Sequence, residues 1–291
     1  MLCYNIWVSN YREVLLGAKK NGKAIGHFNF ASLEMLWGIT HASKAVGVPV
    51  ILGLAEGEQD WVGLNQAVAL VRSLREDGYD VFLNADHTYS FERIKETIDA
   101  GFDSVIFDGA KLSQEENIRI TKKCVDYARK VSKESARDII VEAELGYIGE
   151  GSMIRDELPA DLEMTSVEDS VKFVEATGVD LFAPAVGNIH GMLRDTGDPA
   201  LNIERISEIT KAVSVPLVLH GGSGTPNIRE AIGAGISEVH ISTELRKAWH
   251  DAMLVHLEEY PDEITPYKVA RGSLEAVERV ATRYLQLFSN P

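Results

Sequence analysis

Short apolar runs alternate with amphipathic segments along nearly the whole chain. The apolar runs have the length and composition of buried strands, and eight of them stand out at 24–30, 48–53, 81–86, 103–108, 139–145, 180–186, 215–220 and 237–242. The segments between them repeat apolar residues at helical spacing and predict helices over 11–21, 33–41, 61–75, 91–100, 113–133, 167–176, 202–212, 227–234, 244–259 and 272–288. Segment 146–164 has no periodicity and is interpreted as a long loop.

Eight strands separated by helices are expected to pair in parallel through right-handed crossovers. Eight such units close into a (β/α)8 barrel of the TIM type, in the α/β class. An open doubly wound sheet is the alternative, but it rarely needs eight regular units, and no GxGxxG pattern follows the first strand. No linker interrupts the pattern, so we expect a single barrel domain over residues 1–291 with extra terminal helices.

Amino-acid composition and charge exclude several classes of partner and location for this protein. The 291 residues are 45% hydrophobic and carry a formal net charge of −15, which argues against nucleic acid or an anionic membrane as a partner. Cys3 and Cys124 are too few for a disulfide framework, which favours a reducing compartment. Residues 1–10 lack the pattern of a signal peptide, and no apolar run reaches transmembrane length. We therefore expect a cytoplasmic enzyme.

Polar side chains stand at the ends of six consecutive predicted strands. A barrel places its active site at the carboxyl ends of its strands, so these side chains are expected at one rim. They are Asp86 and His87, Asp108, Glu142 and Glu144, the segment 187–191 with His190, His220, and Ser242 with Thr243.

Three of these residues are histidines on different strands. Three histidines with one open position form a catalytic zinc arrangement, so His87, His190 and His220 are candidate ligands. The histidines at 41, 250 and 256 fall in predicted helices and are interpreted as surface or packing residues, while His27 is interpreted as a core hydrogen bonder.

The carboxylates at the same rim have two interpretations each. Asp86 adjoins His87 and is a candidate acid or base, or it caps a helix. Asp108 and Glu144 are candidates for a second, oxygen-rich cation site, or they form a buried ion pair, for instance with Lys111.

Glycines follow the seventh predicted strand directly after His220. The sequence Gly221-Gly222-Ser223-Gly224-Thr225 stands where barrel enzymes commonly bind phosphate, and Ser242 and Thr243 would complete such a site. The other interpretation is a tight turn without a ligand.

The chain resembles the class II, zinc-dependent fructose-bisphosphate aldolases. Four motifs carry the resemblance: Asn84-Ala85-Asp86-His87, Val141 to Gly146 (VEAELG), Ala183 to Gly191 (APAVGNIHG) and Leu219 to Gly224 (LHGGSG). The resemblance implies a homodimer or homotetramer that reversibly cleaves a ketose bisphosphate to dihydroxyacetone phosphate and an aldehyde through a zinc-stabilised enediolate.

The resemblance also implies a role for each matching residue. His87, His190 and His220 would hold catalytic zinc, Asp86 would donate a proton to the aldehyde oxygen, and Asp108 and Glu144 would match a second divalent or monovalent cation. The substrate and its phosphate would be surrounded by a further set: Ser32, Gly191, Gly221, Gly222, Ser223, His240, Ser242 and Thr243.

Two stretches depart from the family pattern. The family usually has Asn-X-Asp-Thr or Asn-X-Asn-Thr after the eighth strand, whereas this chain has His240-Ile241-Ser242-Thr243, so His240 is either a substitute donor or the mark of another substrate. The loop after Glu144 lacks the usual double glycine, and Glu150 is the candidate for the base that removes a carbon-bound proton. Arg271 is the candidate for the distal phosphate.

Several functions remain open at this point. Fructose 1,6-bisphosphate is the first expectation for the substrate, followed by tagatose bisphosphate or another sugar phosphate. A non-catalytic barrel that senses sugar phosphate is a separate hypothesis, against which Asp86 and the three histidines argue. A Schiff-base aldolase is disfavoured because no lysine ends a predicted strand.

Overall fold

The strands and helices alternate as the hydrophobic pattern predicts. The computed structural model describes residues 9–160, 162–195 and 197–290; Cys3 and most of the segment 1–10 lie outside them. The strands are β1 (Ile25–Asn29), β2 (Val50–Ala55), β3 (Val81–Thr88), β4 (Ser104–Asp108), β5 (Ile140–Leu145), β6 (Ile154–Arg155), β7 (Leu181–Pro184), β8 (Met192–Leu193), β9 (Leu217–Leu219) and β10 (Ile236–Ile241).

The helices fill the intervals between the strands and both ends of the described chain. They are α1 (Tyr11–Lys20), α2 (Leu33–Val46), α3 (Glu56–Val62), α4 (Leu64–Glu76), α5 (Phe91–Ala100), α6 (Gln114–Ser135), α7 (Val167–Thr177), α8 (Ile203–Ala212), α9 (Ile228–Ala234), α10 (Thr243–Glu259), α11 (Pro266–Val269) and α12 (Arg271–Ser289). In the described part of the chain, none of these helices has the combined length and apolar character that crossing a bilayer requires.

Eight strands form one closed parallel barrel. The order around it is β1-β10-β9-β7-β5-β4-β3-β2, so strands that follow each other along the chain are neighbours and β1 closes onto β10. This is the (β/α)8 fold that the eight apolar runs predict. Strands β6 and β8 form a separate small parallel pair near the mouth of the barrel.

Alternate side chains of each strand enter two different cores. Ile51 of β2 belongs to the cluster inside the barrel, whereas Val50 and Leu52 belong to the cluster between strands and helices. This alternation follows from the two-residue period of a strand, and burial on both faces explains why the strands read as continuous apolar runs.

Helix α1 closes the amino-terminal end of the barrel. Tyr11 and Leu15 lie in the cluster inside the barrel, and the ring of Tyr11 stacks on Phe82 with 4.5 Å between centroids. Burial of such a side chain contributes about 1.5–3 kcal/mol. The first of the extra terminal helices therefore seals the bottom of the barrel.

The structure corrects two sequence expectations and adds one short helix. The predicted helix over 61–75 is two helices, because Gly63 between them has a φ of +89°, which an α-helix does not contain. The predicted loop 146–164 contains strand β6. This strand has only two residues and is defined by its pairing with β8, so it shows no periodic pattern in the sequence. Helix α11 is a single turn, too short for a periodic signal.

Candidate active site

A cavity of about 400 Å³ lies at the carboxyl ends of the barrel strands. Most residues that the sequence singles out for chemistry line it, namely Asp86, His87, Asp108, Glu144, Glu150, His190, Gly191, Gly221, Ser223, His240, Ser242 and Thr243. His220 lies just beneath the lining and is 1% exposed. Ser32 and Gly222 do not belong to the lining.

Asp86 and His87 face this cavity together because strand β3 is irregular. Its ladder with β4 pairs Ala85 with Val105 and Thr88 with Phe107, so two residues of β3 stand opposite one of β4. His87 has a φ of +42°, in the left-handed region that non-glycine residues rarely adopt. Backbone strain of this kind costs about 1–3 kcal/mol and is concentrated at functional sites.

Three histidines and a glutamate form a group that could hold a metal ion. Ligand atoms of His87, Glu144, His190 and His220 all lie within 4.8 Å of one another. Tetrahedral zinc with bonds of about 2.0–2.1 Å needs ligand atoms about 3.3–3.4 Å apart. Side-chain movements of about 1 Å would close this difference, so the donor set fits zinc.

His190 offers the clearest free ligand atom of the group. Its Nδ1 donates to the Gly149 carbonyl over 2.8 Å, which leaves the lone pair on Nε2. Nε2 is buried and has no hydrogen-bond partner within the described ranges. A backbone carbonyl that fixes one ring nitrogen of a histidine while the other binds metal is the usual arrangement at metal sites.

Carboxylates surround the other two histidines. Oε2 of Glu144 lies 3.0 Å from Nδ1 of His220 and 3.6 Å from Nδ1 of His87. Oε1 of Glu142 lies 2.7 Å from Nε2 of His220, and Oδ2 of Asp108 lies 2.9 Å from Nδ1 of His87. Positive charge is therefore favoured at this point of the barrel, whether it comes from protons or from a cation.

The pKa values of these histidines differ in direction. Burial, and next the charge of His87, lower the pKa of His190 to about 4, so its ring is neutral at neutral pH. Burial opposes the charged form of His87 too, but Asp86 and Asp108 outweigh it and raise its pKa to about 9. Burial also opposes the charge on Asp86, yet His87 and His240 hold the pKa of this carboxyl well below its usual range.

The amino terminus of helix α10 forms the opposite wall of the cavity. Oγ of Ser223 accepts hydrogen bonds from the backbone N–H groups of Ser242 and Glu244 over 3.2 and 3.3 Å. Oγ of Ser242 is buried without a partner in the described part of the chain. Gly221 has a φ of +61°, and a Cβ there would stand 2.0 Å from the Ile189 carbonyl oxygen. A helix terminus attracts anions through its N–H groups and dipole, and the unpartnered hydroxyl of Ser242 is a further donor at this terminus.

Comparisons with known proteins show the family of this chain. The family profile described as Fructose-bisphosphate aldolase class-II matches residues 9–290. The chain belongs to the class II fructose-bisphosphate aldolase family. It is therefore an aldolase, a lyase of a family that is zinc-dependent in general.

Relatives cover nearly the whole of this aldolase. It is 36% identical over 284 residues to a fructose-bisphosphate aldolase of Staphylococcus epidermidis, which covers 95% of this chain and 96% of the relative. It is 34% identical over 285 residues to that of Geobacillus stearothermophilus, with 96% of each covered. The crystal structure of the YdjI aldolase from Escherichia coli K12 superposes with a TM-score of 0.79 at 31% identity over 97% of each chain.

The carboxylates at the rim of this aldolase make different contacts. Glu144 joins the histidine group, whereas Asp108 contacts His87 from its side and is no member of that group. Lys111 pairs with Glu150 over 2.7 Å instead of with Asp108 or Glu144. Glu150 lines the mouth of the cavity with more than half of its side chain exposed.

Three predicted substrate contacts do not line the cavity. Ser32 is the N-cap of helix α2, where its Oγ accepts from the Met35 N–H over 3.4 Å. Gly222 packs against β10, and its N–H donates to the His240 carbonyl. Arg271 pairs with Glu275 at the surface, outside the cavity lining.

Sequence reasoning missed several polar residues of the cavity region, among them Asn29, Glu58 and Arg246. Asn29 donates through Nδ2 to Oδ2 of Asp86 over 2.8 Å and to Oε2 of Glu58 over 2.9 Å. Arg246 lines the cavity and donates to Oε1 of Glu58 over 2.6 Å. Asn29 ends strand β1, so the strand-end rule applied to the first strand would have found it. Arg246 lies one turn into α10, where no local signal distinguishes it.

Proposed function

We propose that this aldolase reversibly cleaves a ketose bisphosphate, with fructose 1,6-bisphosphate as the first candidate, and that it holds catalytic zinc on His87, His190 and His220. One observation carries the proposal: a histidine group that fits zinc, a carboxylate oxygen of Asp86 without a hydrogen-bond partner in the described chain, and a helix terminus with the unpartnered hydroxyl of Ser242 all meet at one cavity. Zinc at this position would act as a Lewis acid on the substrate carbonyl.

Asp86 is proposed as the acid and base at the aldehyde oxygen. Oδ2 is fixed by Asn29, while Oδ1 is buried and without a hydrogen-bond partner in the described chain. In cleavage, this carboxylate takes the hydroxyl proton, the carbon–carbon bond breaks, and its electron pair stays with the ketone half. In synthesis, the same group returns the proton to the new alkoxide, as general acid–base catalysis requires.

Glu150 is proposed as the group that exchanges the carbon-bound proton of the ketone half. It lines the cavity from the loop after β5, and Lys111 lies 2.7 Å from its carboxylate. Asp108 and Glu144 are proposed to orient the histidines, and Glu144 also offers an oxygen to a second cation.

The polar lining of the cavity supports a substrate with two anionic groups. Gly191, Gly221, Ser223, Ser242 and Thr243 would surround one phosphate at the terminus of α10. Arg246 and Lys111 are the cationic side chains of the lining and would meet a second anionic group. A second candidate substrate is tagatose bisphosphate or another sugar phosphate, because His240 stands where the family usually has asparagine.

We further propose that residues 1–291 form one cytoplasmic catalytic domain that assembles as a homodimer or homotetramer. Cys124 is buried and free within the described ranges, which suits a reducing compartment. Helix α10 and the turn after it expose several apolar side chains that a second copy would cover: Leu254, Val255, Leu257 and Tyr260. Sedimentation analysis of the purified chain would measure the assembly, and a monomer at micromolar concentration would contradict it.

An activity screen with zinc tests the proposed function. Fructose 1,6-bisphosphate, tagatose 1,6-bisphosphate and related monophosphates are offered, and release of dihydroxyacetone phosphate is followed. Chelation should abolish cleavage, and added zinc should restore it. Cleavage that survives complete chelation would overturn the metal mechanism, and absence of cleavage for every sugar phosphate would favour a sensor.

A further inference from the structure

Glu238 is a buried carboxyl group that none of the steps above uses. It stands in the middle of β10 inside the barrel and is 0% exposed. Its Oε1 lies 2.9 Å from Nε2 of His240, and its Oε2 accepts the Tyr11 hydroxyl over 3.4 Å. An unpaired buried carboxyl group is energetically costly. The contact with His240, the shorter of the two, is therefore the main interaction that stabilises Glu238 inside the barrel.

His240 stands between Glu238 and Asp86. Its Nε2 faces Glu238, and its Nδ1 lies 3.6 Å from Oδ1 of Asp86. Within the described residues, neither Nδ1 nor this Oδ1 has a hydrogen-bond partner. Asn29 holds the other oxygen of Asp86, so the orientation of the carboxylate depends on what stands beside Oδ1.

Neighbouring rings restrict the plane of the His240 ring. His27 stacks on it with 3.6 Å between centroids and an interplanar angle of 5°. The ring of His220 lies 4.4 Å away. Stacking fixes the plane but still permits the ring to flip about the Cβ–Cγ bond, which would place Cδ2 instead of Nδ1 beside Asp86. Nε2 lies 2.9 Å from Oε1 of Glu238 and 4.0 Å from Oε2 of Glu142, so the shorter contact, with Glu238, selects the orientation in which Nδ1 faces Asp86.

A second metal ion explains this cluster less well. Ligand atoms of His27, Asp86 and His240 also lie within 4.8 Å of one another. However, the lone pairs of an imidazole lie in the plane of its ring, and the rings of His27 and His240 are parallel and stacked. One ion cannot lie in both planes, so the two histidines do not converge on a common ligand.

We propose that Glu238 is a positioning residue that holds His240 with Nδ1 toward Asp86 and so fixes the carboxylate of Asp86 for its acid–base role. The role of Asp86 itself rests on the proposed function. Burial raises the pKa of Glu238 to about 8, which lets a protonated carboxyl donate to Nε2. The ring proton of His240 then lies on Nδ1, where it faces Oδ1 of Asp86.

Steady-state kinetics of Glu238 variants test this role. Glu238→Met keeps the volume but removes the contact with Nε2, and we expect kcat to fall about 10–100-fold with KM changed less than about threefold. Zinc content per chain should stay unchanged. Glu238→Gln keeps a polar group within reach of Nε2 and should recover most of kcat. A Glu238→Met enzyme with kcat within about twofold of the unsubstituted chain, or with kcat lowered only in proportion to lost zinc, would overturn the proposal.

Tyr11→Phe is the matched control, because it removes the other hydrogen bond of Glu238 and leaves His240 untouched. We expect its kcat to stay within about twofold of the unsubstituted chain. A loss as large as that of Glu238→Met would show a general loosening of the barrel instead of a specific contact.

The ring of His240 can be followed without any activity. The protein is labelled with ¹⁵N-histidine and studied by NMR. The ring signals of His240 are assigned by their absence in His240→Asn, and they should show one fixed tautomer. Two exchanging tautomers in the unsubstituted chain would overturn the proposal even if Glu238→Met does not fold. A chain that cleaves no sugar phosphate but shows the fixed tautomer would contradict the proposed function and leave the contact itself intact.

Discussion

Asp86 and His87 are consecutive residues, yet both side chains face the same cavity. Successive side chains of a regular strand point to opposite faces, and only the extra residue in β3 opposite β4 brings these two together. The positive φ of His87 is part of the same irregularity. A proposed metal ligand and the proposed acid thus reach one substrate from a single strand end.

Replacement of His190 should remove the metal. His190→Ala deletes the ring whose buried Nε2 has no hydrogen-bond partner in the described part of the chain, so we expect zinc affinity to fall by more than about 100-fold, beyond what loss of an outer contact causes. Zinc per chain after dialysis against a weak chelator, measured by mass spectrometry, checks this. His250→Ala, on the exposed face of α10, is the control and should keep its metal.

Asp86→Asn should lower turnover while the metal stays bound. The amide keeps the shape of the side chain but cannot exchange the proton, so we expect kcat to fall about 10²–10⁴-fold. Asp108→Asn provides the contrast: it weakens the orientation of His87 and should lower zinc affinity about 10–100-fold, with turnover recovered at saturating zinc. Equal turnover of Asp86→Asn and the unsubstituted chain would remove Asp86 from the mechanism.

Two serines that cap helices should behave differently. Ser223→Ala removes an acceptor at the terminus of α10 inside the cavity, and we expect KM for a sugar phosphate to rise about tenfold. Ser32→Ala removes the cap of α2 away from the cavity and should cost about 1 kcal/mol of unfolding free energy with KM unchanged. Substrate titrations and urea unfolding of both variants measure the difference. A KM that rises in Ser32→Ala but not in Ser223→Ala would contradict the positions of the two serines in the structure.

Stability should depend on pH through Glu238. Its pKa is near 4.5 in the unfolded chain and about 8 in the fold, so the folded state holds this proton more tightly. The unfolding free energy contributed by Glu238 is therefore fully present below pH 4.5 and is lost as pH rises toward 8. Glu238→Gln removes this dependence, and the gap between variant and unsubstituted chain should widen by on the order of a few kcal/mol over that range.

Urea unfolding at several pH values, with chelator present in every sample, tests this dependence. The comparison of variant with unsubstituted chain cancels the groups that both share. A gap that stays constant between pH 5 and pH 8.5, about the interval spanned by the two pKa values, would mean that Glu238 is ionised in the fold.

The amino-acid sequence by itself determined the barrel and the chemistry of its rim. Eight apolar runs with helical spacing between them permit few other folds, because strands buried on both faces must be continuously apolar. The strand-end rule then brings Asp86, His87, Glu144, His190 and His220 to one mouth. These conclusions depend on local hydrophobic patterns and on the order of the predicted elements, and both can be read from the amino-acid sequence.

Only the tertiary structure decided which side chains meet inside the mouth. The irregular register of β3 turns Asp86 toward the cavity, the contacts of Asp108 separate it from Glu144, and Arg246 reaches the wall from a helix. Ser32 is turned away to cap its own helix. Register and side-chain direction arise from pairing between strands distant in sequence, so no local pattern around any one of these residues specifies them.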